Sequence, residues 1–425
     1  MNSSNQNTLI KEAIILAGGF GTRLRETVPD LPKCMAEVAG QPFLTYVIRH
    51  LLSQGIEKFV FSLGYRHEII EEFIASKFPY LTYSTVVEKT PLGTGGAIRF
   101  ALEKTSDRDI LIVNGDTLFR IDVDDLSDRH VERQAECTVA LKPMENFDRY
   151  GAVETDDDLN IIKFKEKKFE AKGMINGGVY LLNRVAFLKR EFPAVFSFEK
   201  DYLEALVETS WFIGVVQPTY FIDIGIPEDY YKAQQDLKYS PINLSEADPS
   251  WTIFLDRDGV INYNKDDSYV FNTGEFEFIP GSAEAIKILS KIFGKVIVIT
   301  NQRGIGKGLM DEKALGEIHQ HMINEIEREG GRIDALYYCA INDDKHHDRK
   351  PNPGMILEAA HMYPEINLTK SIMVGDKMSD MQLGRNVGAY TVLITSTQSG
   401  GTDAHPDVDM KFNSLREFAA MFESV

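Results

Sequence analysis

The sequence predicts an α/β protein made of two doubly wound domains, each built on a mostly parallel sheet. Three features carry this. The chain has 425 residues, more than a single ordinary core accommodates. From Ala13 to about Val123, short apolar runs alternate with stretches of helical apolar spacing, the pattern of parallel strands joined by crossover helices. Residues 238–250 then hold two prolines and three serines without an apolar period, and a fresh apolar strand starts at Thr252. The expected organisation is a domain over 1–237, a linker over 238–250 and a domain over 251–425.

Composition bounds the function classes. A chain that is 43% hydrophobic and 26% charged is globular, and its net charge of −18 argues against a nucleic-acid surface, which needs a basic stripe. Phosphorylated substrates stay open, because a site needs only local cations and a metal. Cys34, Cys137 and Cys339 are too few and too scattered for a disulfide framework, which points to a reducing, cytoplasmic compartment. Met1–Asn7 is polar and unlike a signal peptide, and no apolar run approaches the ~18 residues of a membrane span. Neither nucleic acid nor membrane is an expected partner. The oligomeric state is left open, a homo-oligomer included.

In the first half, Ala13–Leu16, Lys58–Leu63, Tyr83–Val87 and Ile110–Val113 read as strands, and Pro42–Gln54, His67–Phe78 and Gly95–Lys104 as helices. Ligands of such sheets bind beyond the carboxyl ends of the strands. The first strand runs into Leu16-Ala-Gly-Gly-Phe-Gly-Thr-Arg23, followed by Leu31-Pro-Lys33. Gly18, Gly19 and Gly21 let backbone N–H groups approach an anion, and Arg23 and Lys33 add positive charge. Glycines alone also make a plain strand-to-helix turn. The string is not Walker A, and Leu24 rules out the dinucleotide fingerprint. Glu88-Lys-Thr-Pro-Leu-Gly-Thr-Gly-Gly96 follows a strand and opens a helix, where glycines fold tightly over a flat ligand and the first helical N–H groups are free. Asn114-Gly-Asp116 puts a carboxylate at a strand end, suited to Mg²⁺ or equally to a turn; Asp223 in Phe221-Ile-Asp-Ile-Gly225 makes a pair with it.

Together these strings resemble the signature of sugar-phosphate nucleotidylyltransferases, and the segment to Phe43 is most similar to heptose 1-phosphate guanylyltransferases. Cys34 stands where that family usually carries Pro. The resemblance covers roughly Lys11 to Leu237. It implies a Rossmann-like nucleotidyltransferase fold with Leu16, Ala17, Gly18, Gly19, Gly21, Thr22, Glu88, Gly93 and Thr94 around the nucleotide. Asp116 and Asp223 would hold the Mg²⁺ that bridges nucleotide and sugar phosphate. Lys167, in Phe164-Lys-Glu-Lys167, would bind the sugar's phosphate, with Lys168 standing where Pro is usual; Asn176 and Gly177 would line the sugar, as would Tyr150-Gly151. The implied chemistry is in-line displacement at the α-phosphorus of a nucleoside triphosphate. The sugar phosphate's own oxygen attacks, so the protein aligns two polyanions and offsets their repulsion with Mg²⁺, Arg23, Lys33 and Lys167.

The second half opens on Thr252-Ile-Phe-Leu-Asp-Arg-Asp-Gly-Val260. Asp256 and Asp258 are two apart, on one side if the backbone is extended, and would repel without a cation or proton between them. One acts as nucleophile and the other as acid/base. Three further strings follow in order: Val296-Ile-Val-Ile-Thr300-Asn301-Gln302, Arg349-Lys350-Pro-Asn-Pro-Gly354 and Ile372-Met-Val-Gly-Asp376-Lys377-Met-Ser-Asp380. The set resembles haloacid-dehalogenase-type phosphatases and, within them, heptose bisphosphate phosphatases; the implied fold is Rossmannoid. The resemblance implies Asp256 as nucleophile and Asp258 as acid/base. Thr300 and Lys350 would sit on the phosphoryl oxygens, and Mg²⁺ on Asp256, Asp376 and the Asp258 carbonyl. Asn301, Gln302, Arg349 and Lys377 would lie around the sugar phosphate. Asp380 is either a second acidic contact or a helix N-terminal charge. Arg303 stands where relatives often have Ser. Many relatives carry a zinc loop before the Lys350 string; here Cys339-Ala-Ile-Asn-Asp-Asp-Lys-His-His-Asp348 has one Cys and the wrong spacing, so zinc is not expected.

Both resemblances point to one pathway: removal of the 7-phosphate of heptose 1,7-bisphosphate, then transfer of GMP from GTP to heptose 1-phosphate, with Mg²⁺ in both domains. The alternatives are the same chemistries on mannose or another hexose phosphate, or one half serving as a nucleotide-sensing scaffold.

Overall fold

The computed structural model describes residues 10–19, 28, 30–238, 242–265, 268–395 and 405–423. The chain divides into two compact units, Met1–Tyr239 and Ser240–Val425. In the first, the strands are β1 Glu12–Leu16, β2 Glu37–Val38, β3 Gln41–Pro42, β4 Lys58–Leu63, β5 Thr82–Val87, β6 Asp109–Asn114, β7 Thr117–Phe119, β8 Cys137–Phe147, β9 Gly151–Thr155, β10 Ile161–Lys167, β11 Glu170–Asn183, β12 Phe212–Val216 and β13 Phe221–Asp223.

The sheet runs β10-β9-β11-β6-β1-β4-β5, with β8 joining β11 to β12. β6, β1, β4 and β5 pair in parallel, as their alternation with helices requires. Ala13 and Ile15 face one apolar layer with Phe59, Phe61 and Leu111, while Ile14 faces a second with Val60 and Ile112. Both faces are therefore buried, which is why these strands read as continuous apolar runs. The helix Phe43–Ser53 buries Phe43, Leu44, Val47, Ile48, Leu51 and Leu52, a stripe at spacings of three and four. β11 turns the sheet antiparallel by pairing with β6, β8 and β9. β13 pairs with β7 outside the main sheet, in register Asp223↔Thr117, and so brings Asp223 beside Asp116.

The second unit is simpler. Its strands β14 Thr252–Leu255, β15 Lys295–Asn301, β16 Ala335–Cys339, β17 Ser371–Gly375, β18 Tyr390–Ile394 and β19 Met410–Phe412 form one wholly parallel sheet, ordered β16-β15-β14-β17-β18-β19. Ile253, Leu255, Val296, Val298, Ile372 and Val374 pack in one layer, and Phe254, Ile297, Ile299 and Met373 in the other. The carboxyl ends of adjacent β15, β14 and β17 deliver Thr300, Asp256 and Asp376 to one edge. Among the described residues no helix is long and apolar enough to cross a membrane.

Candidate active sites

In the first unit one cavity of about 1420 Å³ collects most of the expected residues. Leu16, Gly18, Gly19, Glu88, Gly93 and Thr94 line it on the nucleotide side of the expectation. Lys167, Asn176 and Gly177 line it on the sugar side, and Lys33, Asp116 and Asp223 belong to the same wall. Ala17 is buried beneath, its N–H donating to the Ser62 carbonyl at 2.8 Å. Gly21, Thr22 and Arg23 lie outside the described residues.

Lys33 Nζ donates to Asp116 Oδ2 at 2.5 Å and to Asp223 Oδ1 at 3.0 Å. Burial works against the ammonium, but Asp116 and then Asp223 outweigh it and hold the Lys33 pKa above the ordinary lysine value. Gly225 leaves room for this contact: a Cβ there would meet Lys33 Nζ at 2.7 Å and Asp223 Oδ1 at 2.9 Å. Two carboxylates converging on one cation are hard oxygen donors and fit Mg²⁺. Lys165 is paired with Glu154 at 2.5 Å, which leaves Lys167 as the cavity lysine of that strand without a described ion pair.

One expectation needs correction. In the helix opening at Gly93 not all of the first N–H groups are left for a ligand: Gly95 donates to the Phe196 carbonyl at 3.0 Å and Gly96 to the same oxygen at 3.4 Å. Thr94 Oγ1 donates to Glu199 at 2.7 Å and accepts from the Phe198 N–H at 2.9 Å. The segment around 196–199 pins the glycine loop. Nothing in the local sequence signals that contact, because it joins positions about a hundred residues apart.

In the second unit the charged groups interlock. Lys350 Nζ reaches Asp256 Oδ1 at 2.8 Å and Asp380 Oδ1 at 2.6 Å, and donates to the Ile299 carbonyl at 3.1 Å. Asn301 grips the backbone of Lys350 from both sides, accepting its N–H at 3.2 Å and donating to its carbonyl at 3.3 Å. Asp256, Asp376 and Asp380 are all buried with carboxylate oxygens within 4.8 Å of one another. One lysine among three carboxylates leaves excess negative charge. Burial pushes the Asp256 carboxyl up to about 7; Lys350 opposes this, while Asp380 and Asp376 add to it. Gly259 carries no Cβ where one would overlap Asp376. This cluster of hard oxygens fits a divalent cation such as Mg²⁺. Asp380 takes both roles left open by the sequence, since its other oxygen accepts the Lys377 N–H at 3.0 Å at the start of the helix Met378–Val387.

The expected cation-mediated pairing of Asp256 with Asp258 is the second correction. The extended backbone ends at Leu255, and among the described residues the carboxylates grouped with Asp256 are Asp376 and Asp380. Asp258 turns instead to Arg257, whose Nη2 contacts both of its oxygens at 2.9 Å, to Asn262 at 2.9 Å and to Gln302 at 2.8 Å. Burial raises its pKa, but Arg257 and these donors overcome burial and keep it below the usual Asp value. Arg257 is 1% exposed and also contacts His319 Nε2 at 3.1 Å; burial and then Arg257 push His319 down to about 3. Neither Arg257 nor His319 was read from the sequence, although an arginine between two aspartates is a visible charge neutraliser.

Gln302 is buried, and its amide donates to Thr300 Oγ1 at 2.9 Å as well as to Asp258. Arg349 Nε donates to Asp344 at 3.0 Å, and Arg303 pairs with the same carboxylate. A separate cavity of about 390 Å³ beside Asp258 is lined by Asn301 and Lys377, among others. Cys339 is buried, and burial raises its thiol pKa.

A family profile described as nucleotidyl transferase matches residues 12–240, more than half of the chain. The chain belongs to the nucleotidyl transferase family. Within that family it is 46% identical over 228 residues to D-glycero-alpha-D-manno-heptose 1-phosphate guanylyltransferase of Aneurinibacillus thermoaerophilus, covering 54% of this chain and 99% of that protein. A crystal structure of HddC from Yersinia pseudotuberculosis complexed with GMP-PN superposes with a TM-score of 0.50 at 33% identity, over 54% of this chain and 100% of that one. Beyond the nucleotidyl transferase half, a HAD-hydrolase-like profile matches residues 347–418. There the chain is 38% identical over 174 residues to D-glycero-alpha-D-manno-heptose-1,7-bisphosphate 7-phosphatase of Mycobacterium tuberculosis, covering 41% of this chain and 92% of that protein. This nucleotidyl transferase is thus fused to a HAD-like phosphatase unit.

Proposed function

We propose that the chain is a bifunctional enzyme of GDP-heptose synthesis. The second unit removes the 7-phosphate of D-glycero-α-D-manno-heptose 1,7-bisphosphate. The first transfers GMP from GTP to the resulting heptose 1-phosphate and releases pyrophosphate. The observation that supports this most is the presence, in one chain, of two complete charged clusters, Lys33/Asp116/Asp223 and Asp256/Lys350/Asp376/Asp380, in halves similar to enzymes of consecutive reactions.

In the phosphatase unit, Asp256 attacks phosphorus as the bond to the sugar oxygen breaks, giving an aspartyl-phosphate. Lys350 and Thr300 hold phosphoryl oxygens. Asp258 gives a proton to the departing oxygen, then takes one from the water that releases phosphate. Asp258 rests as a carboxylate, and an incoming phosphate ester brings negative charge beside it, which favours the protonated form needed first. Mg²⁺ held by Asp256 and Asp376 would neutralise the charge that three carboxylates leave exposed. In the transferase unit, an oxygen of heptose 1-phosphate attacks the α-phosphorus of GTP and pyrophosphate leaves with the electron pair, so no protein nucleophile or proton transfer is needed. Lys33, Lys167 and Arg23 offset the repulsion of two polyanions; Asp116 and Asp223 would hold Mg²⁺, which would add positive charge beside the phosphates.

Incubation with heptose 1,7-bisphosphate, GTP and Mg²⁺, followed by mass spectrometry, should give GDP-heptose, phosphate and pyrophosphate. Full phosphate release by Asp256→Asn, or unchanged transfer by Asp116→Ala with Asp223→Ala, would falsify the respective half.

A further inference from the structure

Asp258 acts in the phosphatase chemistry through its carboxylate, and the two buried groups behind it, Arg257 and His319, have no step of their own. Arg257 is 1% exposed and His319 7% exposed. Burying a guanidinium this deeply is costly unless its N–H groups find partners. On the near side they find Asp258: Nε donates to Oδ1 at 3.2 Å, and Nη2 to both oxygens at 2.9 Å. On the far side Nη1 lies 3.1 Å from His319 Nε2. The load on the Asp258 carboxylate is uneven. Oδ1 takes Arg257 Nε, Arg257 Nη2 and Asn262 Nδ2, while Oδ2 takes Arg257 Nη2 and Gln302 Nε2. Oδ2 is the less encumbered oxygen, and when it carries the proton Oδ1 is still held from three directions.

Arginine has no acceptor, so Nη1 donates and His319 Nε2 accepts, which places the imidazole proton on Nδ1 and leaves the ring neutral. Burial and then Arg257 push the His319 pKa down to about 3, in keeping with that neutral form. A carboxylate in the same place would compete with Asp258 for the guanidinium. A neutral acceptor occupies Nη1 and leaves the positive charge to Asp258. The ring is itself held. His319 lies on the buried face of the helix Glu312–Arg328 with Leu315, Ile318 and Met322, and its ring packs against Tyr338 of β16 with centres 5.8 Å apart. The contacts therefore run from a helix, through a ring and a guanidinium, to the acid. Aim is what an acid needs, because it works only within hydrogen-bond reach of the oxygen that leaves.

We propose that His319 is a positioning residue for the acid step: by holding the far side of Arg257 it fixes the direction in which Asp258 offers its proton to the departing sugar oxygen. In that step the electron pair of the breaking P–O bond goes to the sugar oxygen, which takes the proton from Asp258. The inference rests on the phosphatase reading and adds the buried residue through which its acid is aimed. The test uses the full chain with Mg²⁺ and no GTP, and compares kcat/KM for heptose 1,7-bisphosphate with that for p-nitrophenyl phosphate. The sugar needs the proton to leave; nitrophenolate departs as a stable anion and does not. kcat/KM runs only as far as release of the leaving group, so the later hydrolysis, common to both substrates, does not enter it. His319→Phe keeps a ring against Tyr338 and removes the acceptor. It should lower kcat/KM for the bisphosphate by roughly ten- to a hundredfold, part of what general acid catalysis contributes, and change that for p-nitrophenyl phosphate by less than about threefold. His319→Gln, whose amide oxygen accepts, should recover most of the bisphosphate rate. Should His319→Phe fail to fold, His319→Glu gives the same reading at the size of the glutamine variant, since a charge there draws Arg257 from Asp258 and lowers the ratio of the two substrates. Equal losses on both substrates in a folded variant, no loss on either, or a glutamine variant that keeps the ratio no better than the phenylalanine or glutamate one, overturns the proposal and leaves the phosphatase standing. No hydrolysis of either substrate by the wild type overturns the phosphatase reading, and the proposal with it.

Discussion

Lys33 occupies the place between Asp116 and Asp223 that a divalent ion would take, so removing its charge should strengthen metal binding in the absence of nucleotide. The perturbation is Lys33→Met. A metal entering between the two acids must first displace an ammonium held at 2.5 Å and 3.0 Å, with the lysine side chain 14% exposed and the carboxylates about a third exposed. A charge-assisted hydrogen bond contributes about 1.5–3 kcal/mol when buried. Solvent screening at half-open carboxylates reduces this, so about 1–2 kcal/mol is expected, a five- to thirtyfold gain in affinity. The assay is Mn²⁺ titration by calorimetry or EPR in an Asp376→Asn background, which silences the second unit's carboxylate cluster. Wild type should bind Mn²⁺ weakly alone and tightly with a non-hydrolysable GTP analogue, whose phosphates offer Lys33 another anion. Equal or weaker nucleotide-free binding by Lys33→Met would refute the reasoning.

Three further outcomes are expected. Gly375→Ala forces a Cβ into Asp380, which holds Lys350; it should cost about 1–3 kcal/mol of stability in the second unit and at least tenfold in phosphate release, read by thermal melting and a phosphate assay. The Asp256 carboxyl, raised from 3.8 to about 7, makes the folded state bind the extra proton across that window; metal-free protein should lose stability as pH climbs from about 4 to about 7, Asp256→Asn should show less of this loss, and Mg²⁺ should restore most of it. After treatment with EDTA, Mg²⁺ but not Zn²⁺ should restore phosphatase activity, measured as phosphate release against added metal.

How much was legible in the sequence follows from where the information is local. Strands such as Lys58–Leu63 and Ser371–Gly375 are buried on both faces and announce themselves as apolar runs. β8 and β11 do not. They carry Pro143, Glu145, Lys172, Gly177 and Gly178, with no clean alternation, because β8 leaves the core after Leu141 and β11 lines the cavity at Asn176, Gly177 and Gly178. Asp256 and Asp376 were legible because each directly follows a strand, and Lys350 because it stands in the Arg349-Lys-Pro-Asn-Pro-Gly354 string just before a helix. The partner of Asp258 was not, because the chain leaves the extended conformation at Asp256 and the i, i+2 argument stops applying there. Glu199 and Phe196 were invisible for another reason: their partners in the glycine loop are set by the tertiary fold alone.

The Gln302 side chain carries a consequence for the direction of hydrogens. An amide nitrogen only donates, so Thr300 Oγ1 and Asp258 Oδ2 both act as acceptors toward it. The single proton of Thr300 is therefore not used in that contact and can point at a phosphoryl oxygen. Glutamate at position 302 would be nearly the same size, yet it would draw the threonine proton toward itself and set a second negative charge against Asp258. Replacing one terminal nitrogen with oxygen would reverse the polarity of the whole chain of contacts, with every heavy atom left in place.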